Sequence, residues 1–111
     1  MTYVVCATWT AKSGEEEAVV GLLEQVSRAS SAEPGCLLFW VHRSLENPSL
    51  FFLYEQYVSE DAFEAHAASE HVRRLVLEDA VHRLDSRRRE RYELIGSVTD
   101  PTQRRRPRAR T

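Results

Sequence analysis

The sequence predicts an α+β fold, in which helices pack on one face of a four-stranded antiparallel sheet. Two stretches dense in β-branched and aromatic residues flank the polar, proline-containing residues 45–49, which is typical of a β-hairpin. Helical periodicity follows the first strand-like stretch, and it returns after the hairpin. A final alternating stretch completes the order β-α-β-β-α-α-β, which is that of split β-α-β, ferredoxin-like folds.

Four stretches carry the strand signal: residues 3–10, 36–44, 50–58 and 89–98. Side chains that alternate along a strand point to opposite faces of the sheet. In the second strand this alternation separates Leu37, Phe39 and Val41 from Leu38 and Trp40. In the third strand it separates Phe51, Leu53 and Tyr57 from Phe52 and Tyr54. Both faces of the hairpin are therefore apolar.

Three apolar stripes at helical spacing predict the helices. The first helix is expected over residues 15–30, with Ser13 and Glu16 forming a capping box at its start. Ser59 is expected to cap a second, shorter helix, and Ser69 a third.

Right-handed crossovers place all the helices on the same face of the sheet. The opposite apolar face would then be uncovered in a monomer, which is a liability in water. We therefore expect a homodimer with the two sheets face to face.

Length and composition favour one domain over residues 1–98, followed by a disordered arginine-rich tail over residues 99–111. Five of the fifteen basic residues lie in that tail, and removing their charges takes the formal charge from −2 to −7. An acidic body makes nucleic-acid binding an improbable main role. No apolar run is long enough for a membrane span, and the N-terminus lacks the pattern of a signal peptide, so a cytoplasmic protein is expected.

His66 is the first candidate for chemistry, because it shares one face of the second helix with Phe63. Burial of an imidazole there keeps a neutral base available, although a core histidine bonded to a strand fits the same pattern. His71 is expected in the first turn of the third helix. Glu55 is flanked by aromatic residues within a strand, and its simplest expected partner is Arg43 across the hairpin.

Aromatic side chains suffice to line a flat pocket or to build a core. The candidate substrate-binding residues are Trp9, Trp40, Tyr54, Glu55, Tyr57 and Phe63. No metal site is expected, because His66 and His71 are five residues apart and two histidines on one helix face are usually four apart. No motif for a nucleotide or for acyl transfer is present.

The chain resembles the antibiotic biosynthesis monooxygenase (ABM) family over about residues 3–98. The similarity is carried, in order, by the motifs PGCL (34–37), RS (43–44), FLYEQY (52–57), AH (65–66) and SEH (69–71). The resemblance implies a dimeric ferredoxin-like barrel with a pocket between sheet and helices. It also implies oxidation of a small phenolic, quinol or polyketide-like aromatic by O₂ without flavin, haem or metal.

Under this resemblance His66 would be the base that deprotonates the substrate, and His71 would position substrate or relay a proton. Two alternatives stay open. One is an isomerase of a small, phosphorylated dicarbonyl, which would need a cation in the pocket, with Arg43 or Arg73 as candidates. The other is a non-catalytic dimeric module that binds a small molecule.

Overall fold

The computed structural model describes residues 1–97 and has the predicted α+β, ferredoxin-like architecture. The predicted tail over residues 99–111 and the last residue of the predicted domain lie outside the described residues. The elements are β1 (Tyr3–Ala11), α1 (Glu16–Ser31), β2 (Cys36–Arg43), β3 (Leu50–Tyr57), α2 (Glu60–Ala67), α3 (Glu70–Val72), a π-helical turn (Arg73–Leu77), a 3₁₀ helix (Ala80–Arg83) and β4 (Leu84–Glu93).

The sheet has the strand order β2-β3-β1-β4, and all neighbouring strands are antiparallel. The helices cover one face, where the buried side chains of β1 meet those of α1 and of the segment that follows α2. Ala7 of β1 lies opposite Leu53 of β3 and opposite Arg89 of β4. Because directly opposed residues share a face, Arg89 points to the same side as the core.

The start of α1 differs from the predicted capping box. No side chain caps this helix, so the prediction for Ser13 is wrong. The chain turns at Gly14, whose φ of 90° favours glycine, and the Gly14 N–H donates to Glu16 Oε1 (2.9 Å). The other oxygen of Glu16 accepts from the Ser49 hydroxyl (2.9 Å). This carboxylate therefore links the start of α1 to the β2–β3 loop and does not form the predicted capping box with Ser13.

The predicted caps of the later helices are confirmed. Ser59 Oγ accepts from the Ala62 N–H (3.1 Å), and Ser69 Oγ accepts from the Val72 N–H (3.4 Å). After Val72 the helix widens, because the Glu78 N–H donates to the Arg73 carbonyl five residues earlier (3.0 Å).

A bulge changes one predicted face in β2. Cys36 lies opposite Tyr57 and Leu38 lies opposite Gln56, so Leu37 is the extra residue. Leu37 is consequently 53% exposed, and it does not share the buried side of Phe39 as the alternation predicted.

The last strand begins five residues before its predicted start. Only Leu84 is buried along β4, which lies at the edge of the sheet. Its first half therefore lacks the apolar alternation on which the prediction depended.

Within the described residues, no helix has the length and apolar character that crossing a membrane requires.

We expect Gly35→Ala to lower the free energy of unfolding by about 1–3 kcal/mol, because a Cβ at this position would lie 2.5 Å from the Cβ of Ala62. Gly21→Ala is the matched control, since no atom lies within 4 Å of a Cβ built there and the residue is inside α1. The control should be stabilised by up to about 1 kcal/mol. Urea unfolding of the two variants measures both effects, and equal stabilities would contradict the close contact at Gly35.

Candidate active site

A cavity of about 350 Å³ lies between the sheet and the helices. Nine of its fourteen lining residues are apolar, and three of the five polar ones come from β4. The lining residues are Ala7, Trp9, Val26, Phe39, Leu53, Glu55, Phe63, His66, Ala67, Val72, Val76, Arg87, Arg88 and Arg89. Pockets for small molecules commonly combine such walls with a few polar groups.

His66 lies near the end of α2, with only 7% of its surface exposed. Its Nδ1 lies 3.1 Å from both carboxylate oxygens of Glu33. Glu33 is an acceptor when ionised, so we assign the ring proton to Nδ1, and Nε2 is then left as an acceptor. Burial lowers the pKa of His66, although the Glu33 carboxylate opposes this effect. The net effect favours the neutral imidazole.

The imidazole is enclosed on its sides by three aromatic rings. The distances from its centroid are 5.3 Å to Tyr57, 5.6 Å to Phe39 and 6.0 Å to Phe63. Within residues 1–97, Nε2 of His66 has no hydrogen-bond partner. Among the side-chain polar atoms of these residues that are fully buried, only Ser30 Oγ lacks a partner, so Nε2 is not one of the fully buried atoms. Nε2 is therefore not fully enclosed, and the ring that carries it lines the cavity.

Glu33 also contacts His71, whose Nε2 lies 2.8 Å from Glu33 Oε2. The backbone around Glu33 is fixed at both ends: its N–H donates to the Ser30 carbonyl (3.0 Å), and its carbonyl accepts from the Cys36 N–H (3.1 Å). One carboxylate thus holds two imidazoles that come from different helices.

Sequence reasoning placed Glu33 in a turn and gave it no role. The available signal was topological. Cys36, which follows the turn, pairs with Tyr57, and α2 follows Tyr57 closely, so the turn and α2 lie at the same end of the sheet.

A second carboxyl group, that of Glu55, lines the cavity from β3. The Tyr57 hydroxyl donates to Glu55 Oε1 (2.6 Å), and burial raises the pKa of Glu55 to about 7, with this hydrogen bond and Arg89 acting in the opposite direction. The predicted Arg43–Glu55 ion pair is wrong. Glu55 lies opposite Phe39 in β2, whereas Arg43 lies opposite Phe51 and binds Glu17 at 2.9 Å.

Three arginines line the cavity where it meets β4: Arg87, Arg88 and Arg89. Arg87 lies opposite Trp9 and Arg89 opposite Ala7, so both face the helices. The guanidinium of Arg89 lies over the ring of Phe63, 5.1 Å from its centroid. Arg87 and Arg88 were missed because the predicted strand began at residue 89, and Arg89 was inside that strand but was given no role.

The structure brings together four of the predicted site residues in the cavity lining: Trp9, Glu55, Phe63 and His66. Tyr57 packs behind them as the partner of Glu55, and His71 lies beside Glu33.

Trp40 and Tyr54 are not brought to the cavity. They lie next to each other on the opposite face of the sheet, with ring centroids 6.3 Å apart, and Trp40 is 58% exposed. The alternation was read correctly, but it does not say which face the helices cover. The cations suggested for an isomerase also lie elsewhere, since Arg43 binds Glu17 and Arg73 binds Glu70 and Glu78.

The chain matches the model of the antibiotic biosynthesis monooxygenase family over residues 2–76. This segment contains β1 to β3 and the helices that carry His66 and His71. The chain belongs to this family. The ABM match confirms the resemblance drawn from the sequence motifs, and it ends before β4.

Solved structures show the same fold. A Pseudomonas aeruginosa protein is 27% identical, with a TM-score of 0.80 over 86% of this chain and 95% of its own. A candidate antibiotic biosynthesis monooxygenase from Nitrosomonas europaea is 22% identical, with a TM-score of 0.82 over 88% of this chain and 94% of its own. A Mycobacterium tuberculosis protein is 19% identical, with a TM-score of 0.81 over 89% of this chain and 100% of its own. No curated protein matches the chain.

The raised pKa of Glu55 predicts a pH-dependent stability. Relative to its ordinary value of 4.5, a folded-state pKa of about 7 means that the native state binds the proton more tightly than the unfolded state. The free energy of unfolding should therefore fall by up to about 3 kcal/mol as the pH rises from about 5 to about 8.

Glu55→Gln should remove this part of the pH dependence, because glutamine does not ionise and still accepts from Tyr57. The exposed Glu24→Gln is the control and should keep the wild-type slope. Urea unfolding across the pH range measures the slopes. An unchanged slope in Glu55→Gln would show that the pKa of this carboxyl group in the folded protein is close to its ordinary value of 4.5.

Proposed function

We propose that this ABM-family protein is a cytoplasmic, cofactor-independent monooxygenase acting on a small phenolic, quinol or polyketide-like aromatic. The observation that carries the proposal is the pair formed by Glu33 and His66. Glu33 accepts from Nδ1, which leaves Nε2 of an imidazole in the cavity wall free to take a proton. An acid–base pair of this kind fixes both the tautomer and the orientation of the ring.

The proposed reaction begins when His66 removes a proton from a phenolic or an activated carbon position of the substrate. The resulting anion is electron-rich and transfers an electron to O₂, and the two radicals combine to form a carbon–oxygen bond. Cleavage of the O–O bond then leaves one oxygen atom in the product as a carbonyl, and the other departs as water with two protons from the substrate. The protein supplies the base, the orientation and the exclusion of water.

The remaining cavity residues suit this reaction. Trp9, Phe39 and Phe63 offer ring surface against which a flat aromatic can pack. Arg87 and Arg89 place positive charge in the cavity lining, which favours the anion formed by deprotonation over the neutral substrate.

We expect His66→Ala to lower the rate of O₂ consumption with an active hydroquinone or anthrone by at least about 100-fold, because positioned bases contribute factors of that order. Glu33→Gln should give a smaller loss, since it weakens the hold on Nδ1 but leaves the base in place. His82→Ala, at an exposed position outside the cavity lining, is the control and should keep wild-type turnover. An oxygen electrode measures all four proteins with no added flavin or metal.

Turnover that persists in His66→Ala would remove this residue as the base. If the wild-type protein consumes no O₂ with any compound of the panel, the monooxygenase proposal fails.

A second candidate function is favoured by the arginines. An isomerase acting on an acidic or phosphorylated dicarbonyl needs a base and a cation in one pocket, and His66 with Arg87 and Arg89 would supply them. Such an enzyme would exchange the α-hydrogen of the substrate with solvent deuterium in the absence of O₂. Hydrogen exchange detected by NMR without O₂ consumption would favour the isomerase.

We also propose that the protein is a homodimer through the uncovered face of the sheet. That face presents aromatic side chains to solvent from three strands: Trp40, Phe52, Tyr54 and Tyr92. Trp40 and Phe52 are 58% and 42% exposed, which is unusual for such large apolar groups unless a partner covers them. A two-fold contact between identical patches covers both copies at once.

Trp40→Glu should convert a species of twice the chain mass into one of the single chain mass, because it replaces the most exposed aromatic side chain of this face with a charge. Leu45→Glu is the matched control: Leu45 is fully exposed in the β2–β3 loop, away from that face. Light scattering coupled to size-exclusion chromatography measures the masses. A wild-type protein that elutes as a monomer would contradict the proposed dimer.

A further inference from the structure

We propose that Glu33, His66 and His71 form a binding site for a divalent transition-metal ion. One ligand atom from each residue lies within 4.8 Å of the others. The three residues come from the turn before β2, from the end of α2 and from the first turn of α3. Nothing in the family match implies a metal, so the site rests on these contacts alone.

Two of the three distances between ligand atoms match those around a bound metal. Glu33 oxygens lie 3.1 Å from His66 Nδ1 and 2.8 Å from His71 Nε2. Metal–ligand bonds of about 2.0–2.1 Å place neighbouring ligand atoms about 2.9 Å apart in an octahedral site and about 3.3 Å apart in a tetrahedral one. The two imidazole nitrogens lie within 4.8 Å of each other, so side-chain rotation that brings them to the same separation would complete the ligand set.

The site is also held in place before an ion binds. The side chains of Glu33, His66 and His71 are only 18%, 8% and 20% exposed. The backbone of Glu33 is fixed by the turn, and Ser69, whose hydroxyl lies 3.3 Å from His71 Nε2, caps the helix that carries His71. Such a fixed ligand set loses little conformational entropy on binding.

The chemistry of the donors selects the type of ion. Two imidazoles and one carboxylate suit Zn²⁺, Co²⁺, Ni²⁺ or Fe²⁺ better than Mg²⁺ or Ca²⁺, which prefer oxygen ligands. Three protein ligands leave further coordination positions for water.

The spacing rule that predicted no metal site applies to a single continuous helix. Here α2 ends at Ala67 and α3 begins at Glu70, and the break between them turns the imidazole of His71 toward Glu33. A five-residue separation is therefore compatible with shared ligation.

A bound ion has a consequence for the proposed oxygenation, and this part of the inference rests on that proposed function. The metal would occupy Nδ1 of His66, whose proton would move to Nε2, so the ring would no longer accept a proton from the substrate. The ion is thus expected to be a reversible inhibitor of the enzyme and not its cofactor.

The test is a titration of chelator-treated full-length protein with Co²⁺, followed by the visible d–d absorption of protein-bound cobalt. Wild type and the His82→Ala control should give the same saturable spectrum at one ion per chain, and Zn²⁺ should displace the cobalt. His71→Gln and Glu33→Gln should each bind at least about tenfold more weakly, because each lacks one ligand. Far-UV circular dichroism verifies that both variants are folded.

Several outcomes would overturn the site: absence of a cobalt spectrum in the wild type, or affinities in folded His71→Gln and Glu33→Gln equal to that of the control. If either variant fails to fold, histidine NMR signals of the wild type are recorded while paramagnetic Co²⁺ is added. Loss of the signals of His66 and His71, but not of those of His42 and His82, would support the site, and equal loss of all four would overturn it.

Measurement of O₂ consumption during the cobalt titration separates the proposed metal site from the proposed role of His66 as base. Cobalt binding accompanied by loss of O₂ consumption supports the site and the base together. Binding that leaves turnover unchanged, or raises it, supports the site and removes His66 as the base. Absence of binding alongside His66-dependent turnover overturns the site and leaves the proposed reaction standing.

Discussion

The carboxylate of Glu33 is the contact on which the candidate site depends. Its two oxygens hold two imidazoles that belong to different helices, and its backbone is fixed between the end of α1 and the start of β2. The turn that carries it approaches α2 so closely that only glycine fits at position 35, next to Ala62. The absence of a side chain at Gly35 therefore permits the close approach of the turn to the helix that carries His66.

The cavity has an electrostatic direction. Glu55 lines it from β3 and His66 from α2, whereas Arg87 and Arg89 line it from β4. Charges act over longer distances in an apolar cavity than in water, because the surroundings screen them less. In the proposed reaction, the arginines would attract the anionic substrate and the imidazole would take its proton.

Most of the fold was predictable because it follows from burial. Strands β1 to β3 and the helices each bury one side. The residues on that side are apolar and recur with the period of the element, as Val19, Leu23 and Val26 do in α1. The first half of β4 lacks this pattern, because an edge strand whose side chains are exposed does not need alternating apolar and polar residues. Arg87 was missed for that reason.

The candidate site was predictable only in part. His66 was found because it lies on the apolar side of a helix, which is a local property. Its partner Glu33 is 33 residues away, and no local pattern reports a contact of that range. Trp40 and Tyr54 were assigned to the pocket because alternation divides a strand into two sides without saying which side the helices cover.

The position of the arginines on an edge strand bears on how relatives of this protein diverge. Residues 87 and 89 line the cavity but contribute nothing to the buried core, since β4 beyond Leu84 is exposed. Substitutions at exposed positions usually change stability by no more than about 0.5 kcal/mol. Mutation of residues 87 and 89 can therefore change the charge of the cavity lining, and with it the preferred ligand, while the protein still folds. In this architecture the charge of the cavity lining and the packing of the core depend on different residues.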